Sequence, residues 1–322
     1  MSTLSGLDFA AVAERVPPLA ALVVAVLAVS TSAILVEYSG APSLVKAFYR
    51  VLFTTLVLLP LAVGRDADRR AFRRLRGRDL LVAVASGAAL ALHFASWFES
   101  LRWTSVAASV TLVQSQPVFV AVGAWALLDE RVSRGGAVGI LVALGGAALL
   151  AGGGSLSGAA LRGARPLFGN ALALVGALCY TVYVLAGRSL RQRFPVIPYV
   201  VVVYAVCAAV LLVAVVARGH PLLGYARREW LLFAAMAVGP GLFGHTVVNW
   251  ALAHVESRVV SVSLVGEPVG ATLLAAVLLA EVPTATTVLG GCVVLAGIAL
   301  TARSRTGDTD TGRGDGTDTR SE

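Results

Sequence analysis

Residues 116–130 read QPVFVAVGAWALLDE, and residues 267–281 read EPVGATLLAAVLLAE. At an offset of 151 residues Pro117 falls on Pro268 and Glu130 on Glu281. The same offset carries Gly139 onto Gly290 and Gly146 onto Gly297. It also carries Ser133 onto Thr284, both where an N-cap for a following helix belongs. Five matched residues without a gap mark an internal repeat.

Both stretches lie in apolar runs too long for a soluble helix face. The chain of 322 residues is 57% hydrophobic and only 14% charged, with a net charge of +8. Soluble domains carry about 25% charged residues. A bilayer core about 30 Å thick takes about 20 apolar residues in a helix. Ten runs meet that need, at roughly 18–37, 43–63, 79–98, 104–128, 135–152, 167–187, 196–217, 229–251, 257–280 and 285–302. A lipid-exposed backbone must satisfy its own hydrogen bonds, so the runs are read as helices. The alternation of a membrane β-barrel is absent from the sequence. The expected fold is all-α and integral to the membrane.

The segments between the runs set the organisation. Residues 1–17 form a short N-terminal segment that lacks the charge pattern of a cleavable signal peptide. Residues 18–152 hold a first group of five spans and 167–302 a second, and residues 153–166, rich in Gly, Ser and Ala, link them. Residues 303–322 hold no large aliphatic residue and are expected to be a disordered tail. With the N-terminus in the cytoplasm, the inside segments as far as Arg305 carry sixteen arginines, seven of them in 64–78, and the outside loops carry six. The positive-inside rule therefore predicts a multi-pass plasma-membrane protein with both termini cytoplasmic and 153–166 outside. The basic residues flank apolar runs, which points to topology and anionic lipid, and not to nucleic acid. Cys179, Cys207 and Cys292 each sit inside an apolar run, so neither a disulfide nor a metal site is implied, and no cofactor is expected.

Five is odd, so the second copy enters the membrane in the opposite sense. Inverted repeats of this kind are typical of secondary transporters, with the substrate near the midplane between the halves. Here the chain resembles the EamA-type transporters of the drug/metabolite transporter superfamily. Gly266-Glu267-Pro268-Val269 through Glu281, then Gly290 to Gly297, is similar to the family's second repeat. Gln116-Pro117-Val118-Phe119 through Glu130, then Gly139 to Gly146, is similar to its first. The likeness covers roughly residues 18–303. It implies export or exchange of amino acids, other metabolites or toxic compounds, often driven by protons or by the substrate gradient. Gln116 stands where the second copy has Glu267, a departure from a symmetric pair of carboxylates.

Polar side chains at membrane depth are costly, about 2.5–3.5 kcal/mol for a charge at a helix centre on insertion scales, and mark sites or partners. Lys46 and Arg50 are four apart on the second span and share a face. They are read as a cationic surface for a substrate carboxylate, or else Lys46 snorkels and Arg50 pairs with Glu37 or helix-end carbonyls. Glu267, near the middle of the ninth span, is a candidate for proton coupling or for a substrate amine. Pro268 beside it frees the carbonyl of Leu264. Gln114 and Gln116 are two apart and do not share a face, so at most one is expected to point into a cavity. His93 with Trp97, His245 with Asn249, and Tyr180 with Tyr183 each form a strip at helical spacing, read as substrate-facing or as packing. Trp97 has the further reading of an interface anchor. Glu130 and Glu281, at span ends, are expected to cap helices or hold loops. Gly135 with Gly139 and Gly266 with Gly270 permit close helix approach.

The fifth and tenth spans lack charged interiors and are expected at the periphery or against a second protomer, as in a homodimer. No enzyme signature is present: no His-Glu-x-x-His, no Gly-x-Ser-x-Gly and no Walker sequence. The sequence thus predicts a secondary transporter of a small organic solute such as an amino acid, with a passive channel or a metabolite receptor as the alternative.

Overall fold

The structure is a computed structural model and describes residues 18–64, 70, 72, 74–128, 132–157, 163–191, 196–244 and 266–310. Every regular element among them is helical: α1 (Pro18–Tyr38), α2 (Ser43–Gly64), α3 (Arg78–Leu101), α4 (Val106–Val113), α5 (Gln116–Leu128), α6 (Arg134–Ser157), α7 (Pro166–Arg191), α8 (Val196–Ala217), α9 (Arg227–Met236), a π-helical segment (Ala237–Gly244), α10 (Gly266–Leu278) and α11 (Ala285–Asp310). Among the described residues seven helical stretches are long and apolar enough to cross a bilayer, and Arg134–Leu150 and Gly266–Leu278 are shorter apolar helices. Large aliphatic side chains such as Val23, Leu27, Leu141 and Val277 stand exposed, as a lipid solvent requires.

Two spans differ from the expected continuous α-helix. The fourth breaks into α4 and α5 at Gln114–Ser115. Pro117 explains the break: it cannot donate to the carbonyl one turn back, and it disfavours helical geometry at Gln116. A turn replaces the helix there, with Ser115 Oγ donating to Leu112 O at 2.6 Å and Val118 N to Ser115 O at 3.0 Å. The eighth span changes from α to π winding at Ala237, just before Gly239-Pro240-Gly241. α6 runs on to Ser157, so the start of the linker is helical, and α11 continues to Asp310, past the residue at which the tail was expected to begin.

The neighbours are specific. α1 lies against the π-helical segment and α10; α7 lies against α3 and the α4–α5 pair. α2 packs on α8, α4 on α10, and α6 along most of α11. The fifth and tenth spans therefore pack on each other. Glycine makes that contact possible: a Cβ on Gly297 would come within 2.6 Å of Gly139 O and 2.7 Å of Ala143 Cα. A Cβ on Gly290 would meet Leu150 N at 3.0 Å. Gly139 faces Gly297 while Gly146 faces Gly290, so the two helices run antiparallel. Likewise a Cβ on Gly270 would crowd Ser30 Cβ at 2.9 Å, which seats α10 on α1.

The N-caps read from the sequence are formed: Ser133 Oγ accepts from Gly136 N at 3.1 Å, and Thr284 Oγ1 from Thr287 N at 3.2 Å. Glu281, at the end of the ninth span, accepts from Val106 N at 2.8 Å and so holds the start of α4. Glu130 lies outside the described residues.

Candidate functional site

Arg50 projects from the middle of α2 and is only 3% exposed. Its Nη1 donates to Ser32 Oγ of α1 at 2.8 Å. Its guanidinium carbon lies 4.7 Å from the ring centre of Phe94, 5.6 Å from Phe98 and 5.8 Å from Trp97, all on α3. Aromatic faces attract a guanidinium and are easily desolvated with it, which makes α3 a fitting wall for a buried cation. What remains to bind a partner is the edge of the guanidinium, met among the described residues by the neutral Ser32 hydroxyl. Arg50 is thus not paired with Glu37 through any described contact. It lies in the electrostatic field of Glu267, Tyr204 and Cys207.

Lys46, one turn earlier, is 5% exposed and donates from Nζ to Val36 O at 2.8 Å. Val36 is in the last turn of α1, where carbonyls lack helical partners and a cation is favoured. Lys46 therefore does not snorkel to the surface. It closes a helix end.

Trp97 is 5% exposed, which rules out an anchor at the lipid interface. Its indole Nε1–H is buried and has no hydrogen-bond partner among the described residues. An unpartnered buried donor is unusual enough to need a reason, and a place for a missing acceptor is one. The Trp97 ring also lies 5.9 Å from that of His93, which in turn meets Tyr180 at 5.0 Å; Tyr180 meets Tyr183 at 5.2 Å. His93 Nδ1 donates to Gly176 O of α7 at 2.9 Å. Trp97 thereby joins the Arg50 group to the His93–Tyr180–Tyr183 group.

On the other side, α10 brings Glu267 to the broken fourth span. Gln114 Nε2 donates to the Glu267 carboxylate, and Gln116 Nε2 donates to Gln114 Oε1 at 3.3 Å. The two glutamines bond to each other because the helix is interrupted between them; the rule against i, i+2 contact holds only on a continuous helix. The backbone oxygen of Glu267 accepts from Ser30 Oγ of α1 at 3.2 Å. A carboxylate from the second half and a guanidinium from the first thus lie in each other's field, each hydrogen-bonded to a neutral side chain. His245, Asn249 and Leu264 lie outside the described residues.

The sequence profile of the EamA-like transporter family matches residues 17–152 and again 167–303, once per half. The chain belongs to the EamA-like transporter family. An uncharacterized transporter of Archaeoglobus fulgidus is similar to it, at 22% identity over 258 residues, 79% of this chain and 86% of that protein. A protein of known crystal structure matches with a TM-score of 0.61 at 19% identity, over 88% of this chain and 96% of the other, a likeness of fold. As an EamA-like protein the chain is a multi-pass membrane transporter.

Ser32, Phe94 and Phe98 complete the surroundings of Arg50 and were not singled out from sequence. The aromatic ones had a signal: His93, Phe94, Trp97 and Phe98 recur at spacings that share one side of a helix.

Proposed function

We propose that this EamA-like protein is a secondary transporter, exporting or exchanging a small anionic or zwitterionic solute such as an amino acid. It works by alternating access between two inverted five-span repeats, ten spans in all. It lies in the plasma membrane with both termini cytoplasmic. The observation that carries this reading is the buried Arg50, whose edge meets, among the described residues, only Ser32, and whose neighbour Trp97 offers an N–H with no partner among them. A substrate carboxylate would take both donors, in bidentate fashion at the guanidinium. Glu267, now held by Gln114, is the matching acceptor for a substrate amine or a coupling proton.

The neighbour pattern supports inverted repeats. Exchange each span for its counterpart five places on. The contact of α1 with α10 then becomes that of α7 with the α4–α5 pair, and the α1 contact with the π-helical segment becomes that of α7 with α3. The pairs α2–α8, α4–α10 and α6–α11 map onto themselves, as they would about a twofold axis. Such halves have two equivalent packings, which alternating access requires.

The test is efflux from proteoliposomes preloaded with labelled amino acids and, separately, with cationic drugs, with and without a proton gradient. Movement of the amino acids is expected, lost in Arg50→Ala. Glu267→Gln is expected to remove any gradient dependence. Selective movement of the cationic drugs, unaffected by Arg50→Ala, would sink the proposal.

A further inference from the structure

Several hydrogen bonds join the first half to the second at one end of the bundle. Glu281 Oε1 accepts from Val106 N at 2.8 Å. Tyr38 Oη donates to Leu278 O at 3.1 Å. Glu229 accepts from Ser39 Oγ and, at 3.0 Å, from Gly40 N. Arg228 Nη2 donates to Tyr38 O at 3.0 Å, and Tyr49 Oη donates to Leu222 O.

The segment that aims Glu281 is strained. Ala280 has φ 52°, and among the described residues it alone departs to positive φ without being glycine. This left-handed geometry brings the Cβ of an L-residue too close to the following carbonyl oxygen and is disfavoured. It lets the backbone turn back, with Leu279 N donating to Ala275 O at 2.9 Å and Glu281 N to the same oxygen at 3.1 Å. The turn carries the Glu281 carboxylate onto the first amide of α4. A negative group is favoured there because the first amides of a helix lack partners. Strain of this kind persists only where the surroundings over-determine it and is found at switches. It is available to be released when the contact that holds it is broken.

We infer that Glu281, seated on the N-terminus of α4 and assisted by Tyr38 on Leu278, is a latch that holds the extracytoplasmic end of the transporter shut. Both contacts span the two halves, so opening that end must break both. The inference rests on the alternating-access reading but needs no knowledge of the solute. The fourth span is the one that carries Gln114 onto Glu267 eight residues below the latch point. Release of Val106 therefore frees the same element that holds the site carboxylate.

Cys207 is a native reporter. It is fully buried on α8 and lies in the field of Arg50, between the halves. With Cys179→Ala and Cys292→Ala it becomes the single thiol. The measurement is the rate at which a charged, membrane-impermeant maleimide labels Cys207 in right-side-out and in inside-out membrane vesicles. Glu281→Ala and Tyr38→Phe are each expected to raise the rate severalfold in right-side-out vesicles only, and the double variant to raise it further. Glu281→Gln, which keeps an acceptor but loses the charge, should fall between. Thr284→Ala removes an N-cap in the same loop without crossing the halves and should leave the rate unchanged. If Glu281→Ala does not fold, Tyr38→Phe combined with Glu281→Gln gives the same reading. An unchanged rate in folded double variant overturns the latch. So does an equal rise from both sides, which would report general loosening, or a rise from the inside alone.

Discussion

Arg50 was legible in the sequence because a charge inside an apolar run has to be accounted for. Its surroundings were not. Nothing in the order of residues says that Ser32 takes one nitrogen of the guanidinium or that α3 turns three rings toward it. The neighbouring Lys46 looked equivalent on spacing alone, yet it serves the last turn of α1. One helical turn of displacement separates a cation at the site from a cation at a helix end, and a period of 3.6 residues cannot resolve that. The geometry of Arg50 makes charge alone insufficient. Lysine keeps the charge but loses the planar fork and the stacking on Phe94. Arg50→Lys is therefore expected to lower solute flux about tenfold or more, a loss of about 1.4 kcal/mol in transition-state terms. Flux within twofold of the parent in folded Arg50→Lys would show that Arg50 supplies only a point charge.

Among the elements, span positions and caps were the readable part, since apolar length and Ser/Thr placement fix them. The breaks were not. Pro117 announces itself, but whether a proline kinks a span or splits it depends on what receives the freed groups. Here the Ser115 hydroxyl donates to one of the carbonyls at the break, Leu112 O. The π winding after Met236 has a cue in Gly239-Pro240-Gly241, though no rule converts it into a π turn. The pairing of α6 with α11 was also missed, because a lack of charge says only that a helix avoids the polar centre. Its glycines state the rest. Gly297→Leu would drive a side chain into the backbone of α6 and is expected to cost about 1–3 kcal/mol as overpacking does, seen as a clear drop in melting temperature. Gly145→Leu is the matched control, with nothing within 4 Å of its Cβ, and should melt with the parent. Equal melting of both variants would mean that the close approach carries no stability.

For the molecule as a whole, the repeat was the strongest signal in the sequence, and the family profile matches once in each half. The spans that pair with their own counterparts are the second, fourth and fifth, each from a different part of its half. The sequence could reveal that two copies exist but not how they face each other. That depends on which surfaces are smooth enough to meet, and single glycines decide it at α6–α11.

The mated glycines of α6 and α11 have a consequence for assembly. Gly139 opposite Gly297 and Gly146 opposite Gly290 form a surface that recognises its own likeness, as the face of a symmetric dimer does. The covalent link near residue 160 then adds proximity and no specificity. Expressed from two cistrons as residues 1–160 and 161–322, the fragments should find each other in the bilayer, and a tag on one should retrieve the other. If both insert and neither retrieves its mate, the tether is indispensable. If they assemble, the protein is in essence an antiparallel pair that happens to share a chain.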